Sequence, residues 1–366
     1  MICGIDPDVS IQEEKGNNTT VDWRPDPSVV AQIRSCPQYE ADEDQIDTFQ
    51  KEGVILLRNL FPDWVDPLRA GLQRNMDDAQ QYAFPCDSVA PGGEGRFFDS
   101  YCNWHRIPEY RAFISESSAA HLAAQFMRSK TAQLFHEHVF CKEAQTQTAT
   151  PWHHDLPYYC VDGLQNVSVY VALDATPAET AVRFLAGSHR SGQLYFPRHF
   201  VDGTDYVQDD TQMTSVTPLI DSFPKDQIRS FDLEPGDVVL FDFRTLHGTT
   251  DAPIKGRRRA FSTRWLGDDM VYCERAGETS PPLKDLGVPP GSKRPPKRRR
   301  VTRAAPRGSG RGRPSSRRSR RPVWAGGPRA PRTGRPARRP RRRRCRCASA
   351  AGPPRRAGRD RKSTRL

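Results

Sequence analysis

Hydrophobic positions along the chain follow two regimes. From about 42 to 130 they recur mostly at helical spacing, and beyond 132 they alternate with polar residues. Asp44–Glu52 predicts a short helix with Ile46 and Phe49 on one face, stopped by Gly53, and Val54-Ile55-Leu56-Leu57 predicts a buried strand. Pro62 to about Asp78 predicts a second helix, carrying Trp64, Leu68, Leu72 and Met76. A Pro/Gly-rich loop over Pro85–Gly95, an aromatic stretch over 96–104 and a helix over 115–130 are expected next. Strands are predicted over 134–141, 166–173, 238–243 and 260–265, the third fed by the turn Glu234-Pro235-Gly236-Asp237. Helices first and then strands separated by loops predict a mainly β fold with flanking helices: an antiparallel barrel or jelly roll.

Composition divides the chain again. Residues 293–366 hold 30 lysines and arginines against the single acid Asp360, whereas 1–292 holds 26 bases against 43 acids. The net charge of +12 therefore describes neither part, and it excludes reading the whole chain as a basic nucleic-acid binder. Residues 1–41, rich in Asp, Pro and Asn, read as a loosely structured arm, 42–290 as the domain and 291–366 as a disordered tail. In 293–366 the large apolar residues are Val301, Val323, Trp324 and Leu366, too few for burial to offset ordering entropy. The nine cysteines form no C-x-x-C pair, no run of 18 apolar residues occurs, and the acidic start is unlike a signal peptide. A soluble cytoplasmic protein, monomer or homodimer, that does not contact membranes is expected.

The sharpest local feature is Thr150-Pro151-Trp152-His153-His154-Asp155. In an extended segment alternate side chains share a face, so His153 and Asp155 point one way and His154 the other. One imidazole and one carboxylate are two thirds of a 2-His-1-carboxylate site, which leaves coordination positions on iron open to a co-substrate and O2. His247, just past the strand 238–243, is the best third ligand. Arg257-Arg258-Arg259 follows, and an arginine fork can bind a dicarboxylate in two-point fashion. Strand alternation puts Arg258 on the face opposite Arg257 and Arg259. His136-Glu137-His138 is a rival pair of imidazoles on one strand face, without a carboxylate on that face.

Thr150–Asp155, Gly187-Ser188-His189-Arg190, Pro235-Gly236-Asp237 and Leu246-His247-Gly248 followed by Arg258-Arg259-Ala260, together with the opening 42–60, resemble the phytanoyl-CoA dioxygenase family. The resemblance covers about 42–290. It implies a double-stranded β-helix that uses Fe(II), 2-oxoglutarate and O2 to hydroxylate a small molecule, releasing succinate and CO2. The substrate would be an acyl-CoA, an amino-acid derivative or a secondary metabolite. By the same resemblance His153, Asp155 and His247 bind iron, Arg258 pairs with the far carboxylate of 2-oxoglutarate, Thr249 stands near it, and Tyr170 lies against the co-substrate. Lys142 is a further co-substrate candidate. Phe98, Tyr101, Trp104, Tyr158 and Tyr159 are candidates for the substrate wall.

The tail has no counterpart in the family. Lys297-Arg298-Arg299-Arg300-Val301 is similar to a nuclear localisation signal, and such arginine density binds phosphate. Read literally, it implies a nuclear oxygenase acting on chromatin or RNA. Arg/Pro/Gly/Ala runs are also what a shifted frame in GC-rich DNA encodes, and Asp360–Leu366 is what GATCGGAAGAGCACACGTCTG, a sequencing-library adapter, encodes. The simplest expectation is a native gene to about 290 followed by a frame error.

Overall fold

The computed structural model describes residues 26–31, 33, 38–78, 85–89, 95–146, 149–199, 203–206, 212–277, 279–281, 289–292 and 301–302. The helices are α1 (Pro27–Val30), α2 (Glu43–Glu52), α3 (Val65–Asp77), α4 (Pro108–Glu116) and α5 (Ala119–Phe126). The strands are β1 (Val54–Leu57), β2 (Pro85–Val89), β3 (Arg96–Tyr101), β4 (Thr131–Lys142), β5 (Val161–Asp162), β6 (Asn166–Ala172), β7 (Arg183–Leu185), β8 (Leu194–Tyr195), β9 (Met213–Thr214), β10 (Ile228–Arg229), β11 (Val238–Phe241), β12 (His247–Gly248), β13 (Arg258–Leu266), β14 (Val271–Tyr272) and β15 (Val301–Thr302).

Local chemistry accounts for the element ends. Asp42 and Gln45 form a reciprocal capping box at the start of α2, and Gly53 ends that helix at φ 74°, where a Cβ would strike the side chains of His189 and Thr245. The helix expected over 115–130 is two helices, α4 starting earlier at Pro108. Ser117 leaves helical geometry, and its hydroxyl accepts from Ala119 N, which offers the backbone an alternative to the helical ladder. The loop expected over 85–95 is a strand over its first five residues. β2 pairs antiparallel with β3 as the edge of the sheet, where Pro85, its first residue, is tolerated.

The main sheet runs β1-β11-β6-β13-β4-β3-β2, and a second sheet runs β10-β7-β12. β13 is the spine of the main sheet, antiparallel to both β6 and β4. Period-two alternation gives the main sheet two dissimilar faces. Val167, Val169, Val171, Val238, Leu240, Phe261 and Trp265 belong to the core shared with the helices, where Phe261 packs 4.8 Å from the Tyr110 ring and 5.3 Å from Phe113. Tyr170, Ala172, Val239, Phe241 and Ala260 turn the other way and meet Phe184 of β7. Two sheets closing on an inner face, with helices outside one of them, form a jelly roll. Part of the arm expected over 1–41 packs here: Val29 is buried in the helix-side core, and Tyr39 O and Ala41 N bond the Gln125 side chain. Beyond 292 the description covers only Val301–Thr302, antiparallel to the start of β4, so the expectations for the tail lie outside the described residues. No described helix is long and apolar enough to cross a membrane.

Candidate metal centre

Segment 150–153 runs antiparallel to β12. His153 N donates to His247 O at 2.9 Å and His247 N to His153 O at 2.8 Å, so the two residues form one directly hydrogen-bonded pair. Such a pair sets both side chains on the same face. Gly248 permits the approach, since a Cβ there would stand 3.0 Å from Thr150 O and 3.1 Å from Trp152 N. The chain departs from extended geometry at Asp155, φ −71° and ψ −36°, where a turn over Leu156–Tyr158 begins. The carboxylate nonetheless converges on the imidazoles. Asp155 Oδ1 lies 3.7 Å from His153 Nε2 and 3.7 Å from His247 Nε2, and its side chain makes no capping bond to the turn.

The surroundings fix which atoms face inward. His153 Nδ1 lies 2.8 Å from Pro151 O and His247 Nδ1 2.9 Å from Thr245 O, so each Nδ1–H donates to a carbonyl and each Nε2 lone pair points to the shared space. Asp155 Oδ2 is held from the other side by Ser168 Oγ and by Arg264 Nη2, each at 3.5 Å. Burial alone would raise the Asp155 carboxyl, but Arg264 and then the two imidazoles hold it well below the usual carboxylate range. Burial pushes His153 down to about 3 and lowers His247. The three donors are thus unprotonated at neutral pH, within 4.8 Å of one another and buried, and this set fits a divalent non-haem iron. His154 turns away, its Nε2 accepting from Tyr195 N at 2.9 Å.

The rival His136/His138 pair gathers no third ligand. The rings are 6.3 Å apart, and Glu137, on the opposite face, accepts from Asn103 N. Among the described residues no other three His, Cys, Asp or Glu side chains converge as the triad does.

A cavity of about 640 Å³ opens in front of the triad. At one end Lys142 and Arg258 are direct cross-strand partners on β4 and β13. Lys142 Nζ lies 3.3 Å from Thr249 Oγ1, and Arg258 Nη1 donates to Thr180 O. Burial, and then the Arg258 charge, pushes the Lys142 ammonium down to about 7. Tyr170 lines the wall between this end and the triad's strands. Arg257 and Arg259 face outward, onto Glu143 and Asp174. Tyr101, Tyr158 and Tyr159 line the cavity; Phe98 and Trp104 do not. Alternation along β3 turns Phe97, Asp99 and Tyr101 inward and leaves Phe98 in the helix-side core, where Trp104 also lies, past the strand's end. Arg264, Ser168, Asp99 and His138 were not foreseen at this site. Counting by twos from Arg258 reaches Arg264, so the signal for it was present.

A family model described as Phytanoyl-CoA dioxygenase (PhyH) matches residues 49–260. No curated protein matches the sequence at a significant level. Among solved structures, the non-heme alpha ketoglutarate dependent carbocyclase SnoK from nogalamycin biosynthesis is 18% identical, covering 70% of this chain and 94% of its own, with a TM-score of 0.54. The epimerase SnoN, in complex with Fe3+, alpha ketoglutarate and nogalamycin RO, is 18% identical, covering 69% of this chain and 93% of its own, with a TM-score of 0.51. At this identity the two structures speak for the fold. The family match spans more than half of the sequence and contains His153, Asp155, His247 and Arg258, so the chain belongs to the phytanoyl-CoA dioxygenase family, the iron- and 2-oxoglutarate-dependent oxygenases.

Proposed function

We propose that the chain hydroxylates a small organic molecule, with Fe(II) held by His153, Asp155 and His247 and the far carboxylate of 2-oxoglutarate held by Arg258, Thr249 and Lys142. The observation that carries this reading is that a buried His-Asp-His set shares one cavity with two cationic side chains, the buried Lys142 and the half-buried Arg258. When bound, iron with 2-oxoglutarate and O2 supplies the oxidising power that inserts one oxygen atom into a C–H bond and leaves succinate and CO2.

The chain's own residues do the rest. Asp155 offers Oδ1 to the metal and neutralises one of its charges, while Arg264 and Ser168 occupy Oδ2 and hold the carboxylate to one-point binding. The carbonyls of Pro151 and Thr245 keep both imidazoles in the tautomer that can ligate. Arg258 presents a fixed positive charge, and Lys142, pushed down to about 7, is a second donor that a bound carboxylate would draw back to the charged form. Tyr170 packs beside the co-substrate, and the aromatic wall of Tyr101, Tyr158 and Tyr159 excludes water from the reacting carbon. A carboxylate at position 155 leaves no protein-vacated ligand position for a halide, which favours hydroxylation over halogenation. Succinate release from 2-oxoglutarate, screened over acyl-CoA thioesters, amino-acid derivatives and secondary metabolites, tests the reading. Stimulation by a compound that emerges hydroxylated supports it; an iron-loaded protein that never consumes 2-oxoglutarate contradicts it.

A further inference from the structure

Two residues along β3 from Phe97, the cross-strand partner of Lys142, the cavity carries a second polar pair. His138 Nε2 lies 2.6 Å from Asp99 Oδ1, and both residues line the cavity from neighbouring strands, β4 and β3. The contact is met when the imidazole N–H donates to the carboxylate. His138 is held in place by rings on two sides, Phe140 at 4.1 Å and Tyr101 at 5.2 Å. Asp99 Oδ2 has no hydrogen-bond partner among the described residues. Lys142 and Arg264 are near enough for Asp99 to influence both, yet neither bonds it: Lys142 lies against Thr249, and Arg264 turns Nη2 to Asp155 and Nε to Tyr159 while its Nη1 has no partner.

An acceptor open to a cavity exchanges water for a ligand that brings a donor, and it disfavours a ligand that displaces the water without replacing the bond. The iron triad does not use this carboxylate, and it would repel the dicarboxylate co-substrate. The surfaces beside it are aromatic faces, Tyr101, Tyr159 and Phe140, which suit the flat side of a ring. We propose that Asp99, oriented by His138, determines substrate specificity: it accepts a hydrogen bond from a hydroxyl or protonated amine on a ring-bearing substrate whose ring lies against these aromatics. This rests on the oxygenase reading above and extends it to the class of substrate. Compounds with a negative charge on the same ring position are disfavoured, because they would bring a second anion to Asp99.

The test uses the full chain loaded anaerobically with Fe(II) and 2-oxoglutarate. The visible charge-transfer band of the loaded centre is the control for the triad. Phenols, alicyclic alcohols and cyclic secondary amines, each matched with its methyl ether or N-acyl derivative, are then scored by succinate release and by the shift in Tm. In the wild type, donor-bearing compounds should act, and masking the donor should lower kcat/KM about tenfold or more. In Asp99→Asn that masking penalty should fall toward onefold, with KM rising more than kcat falls. His138→Gln should give the same loss of discrimination more weakly. A merely structural Asp99 would lower activity on both members of each pair alike, and that result overturns the proposal. So does a wild type that accepts the masked compounds equally well, or one that shows the charge-transfer band yet answers no donor-bearing ring. A missing band in the wild type instead overturns the oxygenase reading beneath it.

Discussion

Asp155 gives its two oxygens different tasks. Oδ1 faces His153 and His247, and Oδ2 faces Arg264 and Ser168. The product should follow from that carboxylate. With a substrate found by succinate release, a reaction in labelled O2 and excess chloride should give a product carrying labelled oxygen and no chlorine; a chlorinated product contradicts the role assigned to Asp155. The neighbouring residue is one of several buried histidines that lower stability in acid. His154 is buried and accepts from Tyr195 N, and burial pushes its imidazole down to about 4. The unfolded chain takes up that proton near 6.5, the folded chain not until about 4. The folded state therefore loses stability as pH falls from 6.5 toward 4, by up to about 1.4 kcal/mol per pH unit for this one residue. His154→Gln, whose amide oxygen can still accept from Tyr195 N, should show a shallower decline in urea unfolding of the metal-free protein between pH 7 and 5. Equal slopes would mean that His154 is not carried neutral.

At the scale of elements, β13 shows how much was legible. Alternation alone separates Arg258 from Arg257 and Arg259, and in the fold Arg258 lines the cavity while its neighbours pair with Glu143 and Asp174. Arg258→Ala should weaken 2-oxoglutarate binding by about 2 kcal/mol or more, as expected for removing one partner of a buried charge pair. Arg257→Ala, which breaks a half-exposed pair, should change it by less than about 1 kcal/mol. Calorimetric titration of both variants checks this, and equal losses would mean that the strand register is wrong. The same alternation, applied to 96–104, would have rejected Phe98, since Phe97, Asp99 and Tyr101 share the other face. Phe97 and Phe98 are consecutive, which masks the alternation of this strand in the sequence. The Ser117-Ser118 break and the β2 edge strand were hidden for another reason: both are decided by hydrogen bonding and sheet position, which local hydrophobic pattern does not report.

For the whole molecule, the two sheets matter because they bring residues distant in sequence to one place. The pairing of His153 with His247 needs β12 beside segment 150–153, a closure that no local pattern specifies. What made the triad readable was the H-x-D spacing joined to a recognisable family order. The tail is predicted to be dispensable, given its few large apolar residues: deleting 293–366 should leave Tm and turnover unchanged, and loss of folding on deletion would refute a frame-error origin. The most direct test of the central claim is metal analysis after anaerobic reconstitution with Fe(II). The wild type should retain one iron per chain, and His153→Ala and His247→Ala should each retain almost none while staying folded. Undiminished iron in either variant would contradict the triad.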